Sequence, residues 1–392
     1  MHFPGLEGLR ALAAVMVVVH HAVSNAYPPS TTGPIYASAA VMDAGVAIFF
    51  VLSGFLIYRP FVVAHAEGRR PQRTVSFWWR RVLRIVPAYW LALTFFWKVL
   101  PTYDLGDQWW RYYLFLQIYD QDTTIGGLTQ AWSLCTEMSF YLLIPFWAML
   151  MALVARRARS VYVDLAGCLV LFAAGYAFRE LASPHVNPGP GGPGKWAGTF
   201  QILPSNIDLF AIGMGVAVVS VWALQEDRLR RFADLVTTWA EPFWAAAIVL
   251  FAWYAWRVGP AEVNTGYVGR FWQQRQAIVG AVAALILLPA VFGPQRKGLM
   301  RKGLLLKPVV WVGTLSYGLY LWHLDLIKHA VTPFAWPDQP RPNPDWTGWL
   351  GQGQYHANVG KLLAVGLVGG LIAAAISWYA MERPLQRFKR LL

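Results

Sequence analysis

Ten stretches of about 20 mostly apolar residues follow one another along this chain, and they limit its fold more than any other feature. A helix needs about 20 apolar residues to cross the hydrocarbon core of a bilayer. Of the 392 residues only 14% are charged, the mean hydropathy is +0.40, and no second compositional regime interrupts the pattern. The sequence therefore predicts an all-α integral membrane protein in which residues 1–392 form one transmembrane domain.

The predicted bundle has about ten transmembrane helices. We expect them near residues 9–28, 41–62, 84–101, 131–154, 161–180, 204–223, 238–257, 273–293, 308–330 and 359–381. If the amino terminus is inside, the inner segments hold 23 of the 33 Lys and Arg residues. Because cytoplasmic loops are enriched in these residues, both termini are predicted to be cytoplasmic. The same distribution explains the net charge of +13 without a nucleic-acid partner.

The first predicted span contains ionisable residues, which are costly inside a bilayer and are therefore candidate functional residues. Arg10 and His21 are eleven positions apart. That spacing is close to three helical turns, so the two side chains share nearly one face and lie about 16 Å apart. They could hold two ends of a long ligand, although a snorkelling arginine and a structural histidine fit the same spacing. His20 points elsewhere, and its role stays open.

Two further candidates lie on the third and fourth predicted spans. Arg81 and Arg84 stand at positions i and i+3, where their guanidinium forks suit phosphate groups. Anchoring at the cytoplasmic face is the alternative reading of these arginines. Glu137 is a lone carboxylate inside AWSLCTEMSFYLLIPF, so it is predicted either to pair with a cation or to be held neutral.

The outer half of the bundle has its own candidates. His323, in the ninth predicted span, is expected to face the same half as His21, and Tyr317 belongs to the same span. Asp43, at the outer start of the second span, is interpreted as a helix-start carboxylate, and a role as a partner of a histidine is the alternative.

Several common signatures are missing from the sequence. No cysteine or histidine spacing suits zinc, so no metal is predicted. There is no Walker lysine loop and no dinucleotide glycine fingerprint. The Gly-x-Gly of IGMGVA, which includes Gly213, is predicted to serve helix packing.

Taken in order, seven motifs resemble the acyltransferase-3 family of multi-spanning membrane O-acyltransferases along nearly the whole chain. They are GLEGLRALAAVMVVVHH, GVAIFFVLSGFLI, WWRRVLRIVPAYW, AWSLCTEMSFYLLIP, LFAIGMGVA, LSYGLYLWH and ERPLQ. The family's arginine, ten residues, histidine pattern falls on Arg10 and His21, and its Arg-x-x-Arg pattern falls on Arg81 and Arg84. Its glutamate before a Phe-Tyr pair falls on Glu137.

The chain departs from the family at two points. Glu7 stands where the family commonly has aspartate, which keeps the charge. The extracellular hydrolase-like domain that some members carry does not follow the last span, so we expect any such partner to be a separate protein.

The resemblance implies an acyl-CoA-dependent O-acyltransferase that uses a cytoplasmic acetyl-CoA or succinyl-CoA donor. The arginines expected to bind the coenzyme A phosphates are Arg10, Arg81 and Arg84. His21 is predicted to act as the general base on the acceptor hydroxyl, with Glu137 either orienting its imidazole or stabilising the protonated form. His323 and Tyr317 are the candidates for the acceptor side. Direct transfer and an acyl-histidine intermediate both stay open.

The expected acceptor is an envelope glycan or glycolipid, and the expected location is a bacterial cytoplasmic membrane. A macrolide-like metabolite is an alternative acceptor. A multi-spanning transporter or flippase, or a membrane scaffold, would explain the spans without acyl chemistry. Association into a homo-oligomer stays open.

Overall fold

The computed structural model describes residues 3–27, 33–124, 126–155, 160–186, 197–265, 269–294, 296–331 and 357–391. Within these ranges the chain is helical and contains no β-strand, so the predicted all-α class is confirmed there. The helices in chain order are α1 (Gly5–Ala26), α2 (Pro34–Ala40), α3 (Ala44–Ala66), α4 (Thr74–Thr94), α5 (Trp109–Tyr113), α6 (Trp132–Val154), α7 (Val161–Val186), α8 (Leu203–Trp222), α9 (Asp227–Thr238), α10 (Ala240–Thr265), α11 (Gly269–Val291), α12 (Leu299–Leu304), α13 (Lys307–Val331), α14 (Val359–Ala364), α15 (Gly370–Ser377) and α16 (Arg383–Leu385).

Each of the ten predicted spans overlaps a helix of the described chain, and the protein is a multi-pass membrane protein. In that part of the chain, eight helical segments are long and apolar enough to cross a bilayer, or nine if the bent pair Asp227–Thr238 and Ala240–Arg257 counts as one. Helix α13, which covers the predicted ninth span, is outside this set and carries the fully buried His323 and Asp325. Ten crossings therefore stay a prediction.

Close helix contacts form the centre of the bundle. Helix α3 packs along α8, and a Cβ atom at Gly213 would collide with the carbonyl oxygen of Val51. A Cβ atom at Gly54 would meet the carbonyl oxygen of Phe210 in the same way. Small residues allow such backbone approach in membrane bundles. The packing role predicted for the Gly-x-Gly is confirmed for Gly213 but not for Gly215, where an added Cβ atom would meet nothing within 4 Å.

Helices α1 and α13 run parallel and in contact. Near one end, Gly313 packs against the backbone of Glu7, and toward the other end His323 meets His21. This pairing brings two sequence-distant histidines together.

Both ends of the described chain lie at the same end of the bundle. Glu7 of α1 and Lys389, beyond α16, line one cavity of about 540 Å³, which we call the terminal cavity. The indole nitrogen of Trp79 donates a hydrogen bond of 3.0 Å to the carbonyl oxygen of Phe388, which holds the last segment against α4. The cytoplasmic orientation of this end stays a prediction.

Candidate active site

All three arginines that the motifs singled out line one cavity. We call it the arginine cavity. Its polar wall comes from α1, α3, α4, α6 and α13, and comprises Arg10, Ser53, Arg81, Arg84, Ser133, Glu137, Tyr141, Ser316, Tyr317 and Tyr320. Because α4 begins at Thr74, ten residues before the predicted start of this span, Arg84 lies in the middle of the helix.

Glu137 connects two helices within the arginine cavity. Its Oε1 atom accepts hydrogen bonds from the hydroxyls of Ser53, on α3, and of Tyr141, one turn further along α6, the latter at 2.5 Å. The carboxylate is therefore fixed by hydroxyl donors, with its negative charge beside the three arginines.

The cations of this cavity differ in how they are held. Arg10 forms an ion pair with Glu7 at 3.4 Å. The guanidinium of Arg81 lies over the rings of Phe77 and Tyr141, 5.6 and 5.8 Å from their centroids. Its buried Nε atom has no hydrogen-bond partner among the described residues. Within the described ranges, neither Arg81 nor Arg84 forms an ion pair with a carboxylate. Guanidinium groups that have no carboxylate partner are suited to binding an anion.

A second cavity, of about 840 Å³, contains His21 in its wall, and we call it the histidine cavity. Besides His21, its polar lining consists of His20, Asp43, Gln130, Asn206, Arg275 and Gln276, and its aromatic lining consists of Phe50, Trp132, Phe200, Trp272 and Tyr320. Amide groups beside aromatic rings suit a polar ligand with apolar faces.

His323 determines which nitrogen of His21 is available. The Nδ1 atom of His323 lies 2.9 Å from the carbonyl oxygen of Leu319, which can only accept, so Nδ1 carries the proton. The Nε2 atom of His323 is then an acceptor, and it lies 2.9 Å from Nδ1 of His21. His21 therefore donates from Nδ1 and keeps its lone pair on Nε2.

Two aromatic residues, Phe50 and Tyr320, line both cavities and form the wall between them. The Phe50 ring stacks on Phe210 with centroids 4.7 Å apart. The Tyr320 hydroxyl donates to the carbonyl oxygen of Gln130 at 2.8 Å and lies 2.8 Å from the Ser133 hydroxyl. A group passing from one cavity to the other must pass these two rings.

Two predicted placements are corrected by this geometry, whereas His323 lies beside His21 in the same half of the bundle, as predicted. Glu137 does not contact His21, because it points into the arginine cavity while His323 holds the His21 ring. Tyr317 also lines the arginine cavity, and its hydroxyl donates to the carbonyl oxygen of Ile85 at 2.7 Å. Six residues separate Tyr317 from His323, which places them on different faces of α13. His323 itself is fully buried behind His21 and is not in the cavity wall.

Sequence reasoning missed most of the polar pairs around the histidine cavity. Asp43, interpreted as a helix-start carboxylate, forms an ion pair with Arg275 across 232 positions of sequence. The amide nitrogen of Gln130 donates to the carbonyl oxygen of Leu321 and to Asp325, at 2.8 and 3.0 Å. Both pairs join helices that are distant in sequence, so no local spacing indicates them.

The fold and the site together define a multi-pass membrane protein with a cationic cavity and a histidine cavity separated by an aromatic wall. Residues 3–381 match the model of the acyltransferase-3 family, which is described as an acyltransferase domain. The chain therefore belongs to this family, as its motifs predicted. No solved structure is significantly similar to it.

Similar proteins include YrhL of Bacillus subtilis (strain 168), which is 26% identical over 403 residues covering 98% of this chain and 55% of YrhL. Peptidoglycan O-acetyltransferase OatA of Listeria monocytogenes is 24% identical over 357 residues, covering 86% of this chain and 51% of OatA. Nodulation protein 10 of Rhizobium leguminosarum bv. viciae is 23% identical over 411 residues, covering 99% of this chain and 94% of that protein. The chain thus spans about half the length of YrhL and OatA.

Proposed function

We propose that this protein is a membrane O-acyltransferase that moves an acetyl group from acetyl-CoA to a hydroxyl of an envelope glycan. The observation that carries the proposal is the aromatic wall of Phe50 and Tyr320. It separates a cavity in which two arginines have no carboxylate partner in the described chain from a cavity with an oriented histidine. An anionic thioester and a neutral hydroxyl would meet at such a wall.

The donor occupies the arginine cavity in this proposal. The coenzyme A phosphates contact Arg10, Arg81 and Arg84, because guanidinium forks bind phosphate oxygens in pairs. Along α1, Arg10 and His21 are separated by about 16 Å, a distance that an extended pantetheine arm can cover. The thioester therefore reaches the wall while its phosphates stay at the cytoplasmic end of the bundle.

The acyl transfer then uses His21 as a general base. Its Nε2 atom takes the proton of the acceptor hydroxyl, and the hydroxyl oxygen attacks the thioester carbonyl carbon. The new C–O bond forms, the C–S bond breaks, and the departing thiolate takes the proton from His21 to leave as the free thiol. His323 keeps the His21 ring in the required tautomer through its Nε2 acceptor.

The pairing of charges favours acetyl over succinyl as the transferred group. The guanidinium of Arg275, in the histidine cavity, is already paired with Asp43, so it offers less to the free carboxylate of a succinyl group. The name of the Listeria relative supports the same acyl group and points to peptidoglycan as the class of acceptor. On the acceptor side, Oε1 of Gln130 has no hydrogen-bond partner in the part of the chain that the structure describes, and it suits a sugar hydroxyl.

The proposal is tested by measuring free thiol release from acetyl-CoA and succinyl-CoA by the purified protein. The acceptor probe is a soluble glycan fragment that contains N-acetylmuramic acid, and the comparison variant is His21→Ala. His185→Ala is the matched control, because His185 is exposed and outside both cavities.

We expect thiol release that depends on the acceptor, is faster with acetyl-CoA, and is lost in His21→Ala but kept in His185→Ala. Full turnover in His21→Ala would remove the base role from this histidine. If acetyl-CoA neither binds nor reacts, the acyltransferase proposal fails and a transporter becomes the better account.

A further inference from the structure

The terminal cavity adjoins the arginine cavity and shares lining residues with it. Arg10, Arg84 and Tyr317 line both cavities, so the two lie directly next to each other. The terminal cavity adds Lys389, Trp378 and Glu382 from the last helical segment. The motifs do not account for Lys389 or Trp378, and neither is needed for the acyl transfer described above.

Lys389 lies in a concentration of positive charge. It interacts electrostatically with Arg84, Arg81 and Arg80. Its Nζ atom donates to the side-chain oxygen of Gln386 at 2.9 Å, but it forms no ion pair with a carboxylate in the described part of the chain. Like charges brought this close repel each other, and a bound polyanion removes that cost.

The other groups of the terminal cavity suit a nucleoside. The half-buried indole of Trp378 offers an aromatic face, on which a base can stack. Glu382 is buried, and one of its oxygens accepts a hydrogen bond from Ser377 at 2.8 Å. Its remaining oxygen capacity suits amino or hydroxyl donors of a ligand.

The position of each cavity along the bundle determines which part of the donor it can hold. If the thioester lies at the aromatic wall and the pyrophosphate lies beside Arg10 and Arg84, the nucleoside must extend further from His21. The terminal cavity is the space on that side of these two arginines.

We propose that the terminal cavity binds the phosphorylated adenosine of the acyl-CoA donor, with Lys389 on the ribose 3′-phosphate and Trp378 against the adenine. This inference rests on the proposed function. It assigns the last segment of the chain to recognition of the donor's phosphorylated adenosine, which is distant from the reacting thioester.

Two ligands that differ by one phosphate test the assignment. Calorimetry measures Kd for coenzyme A and for 3′-dephospho-coenzyme A, using the full protein in nanodiscs of neutral lipid. The variant is Lys389→Gln, and the matched control is Arg387→Gln, which removes the same charge from an exposed position of the same segment outside the cavity.

Lys389→Gln is expected to weaken coenzyme A binding by at least about tenfold, the effect of losing a hydrogen bond between charged groups. Its affinity for 3′-dephospho-coenzyme A should stay within about twofold of wild type, and Arg387→Gln should change neither. Trp378→Leu should weaken both ligands about fivefold or more, because both contain adenine.

An equal loss for both ligands in Lys389→Gln, or no loss for either, would overturn the assignment while leaving the proposed function intact. Absence of binding to the wild type would overturn both. A lipid headgroup could also supply the phosphate, so retention of phosphatidylglycerol by purified wild type and Lys389→Gln is compared. If Lys389→Gln loses this lipid but binds coenzyme A normally, the cavity is a lipid site and the proposal is wrong.

Discussion

In the arginine cavity, Arg81 and Arg84 have no carboxylate partner within the described chain, whereas around the histidine cavity each buried arginine is matched by an aspartate. Arg275 pairs with Asp43, and Arg179 pairs with Asp208 at 2.7 Å. Removing an unpaired charge from water is costly, so partly buried cations without a carboxylate partner mark a place where a ligand can bring the opposite charge. The comparison indicates that the first cavity is built for an anion and the second for a neutral, hydrogen-bonding group.

The largest effect is expected at His21, and it distinguishes the function of the histidine cavity from that of the arginine cavity. Replacing His21 by Ala removes the base from the histidine cavity, and turnover of acetyl-CoA should fall by about 10²- to 10⁴-fold. The KM for the donor should change little, because the arginine cavity is untouched. Steady-state kinetics of thiol release measures both values. A change in KM alone would mean that His21 binds the donor.

A smaller effect is expected at His323, which does not line the histidine cavity. His323→Leu leaves Nδ1 of His21 without its acceptor, so turnover should fall roughly ten- to a hundredfold. His323→Gln keeps a carbonyl oxygen that can accept the same hydrogen bond and should recover part of the rate. Equal losses in both variants would contradict the orienting role, since a packing role predicts no such difference.

Substitutions of Glu137 test whether the arginine cavity binds the donor without taking part in proton removal. Glu137→Ala removes the acceptor that Ser53 and Tyr141 share, so the KM for acetyl-CoA should rise about tenfold. The pH dependence of kcat should stay that of the wild type, because Glu137 does not contact His21. Tyr141→Phe, which removes one of the two hydrogen bonds, should also raise the KM for acetyl-CoA, but by less. If kcat falls and KM is unchanged, Glu137 supports the base after all.

The smallest expected effect concerns the wall between the cavities. Phe50→Leu shortens a side chain that lines both cavities, which makes room for one more methylene group. The rate with propionyl-CoA relative to acetyl-CoA should therefore rise severalfold. Phe55→Leu is the matched control, because Phe55 is buried on the same helix and lines neither cavity. A similar shift in both variants would indicate general loosening of α3.

Local spacing predicted those features that lie within one helix. The apolar runs identified the helices, and the spacings of Arg10 with His21 and of Arg81 with Arg84 placed each pair on one element. The arginines also share one cavity. The motifs identified these residues, but the roles assigned to them stay predictions.

Relations between helices could not be predicted in the same way. Whether Glu137 turns toward His21 or toward Ser53 depends on the rotation of α6 against α3, which distant packing contacts determine. The pairing of His21 with His323 requires the contact of α1 with α13, and Lys389 reaches the arginines because the last segment returns to α4. None of these contacts has a spacing that a single sequence reveals.

The separation of donor binding from proton removal is tested most directly by titrating acetyl-CoA into wild type, Arg84→Gln and His21→Ala, with Arg73→Gln, at the exposed residue just before the same helix, as the control. Calorimetry should give His21→Ala a Kd within about twofold of wild type. Arg84→Gln should bind roughly 10- to 150-fold more weakly, the loss expected for one hydrogen bond between charged groups. Unchanged affinity in Arg84→Gln, or an equal loss in His21→Ala, would contradict the division of the site into two cavities.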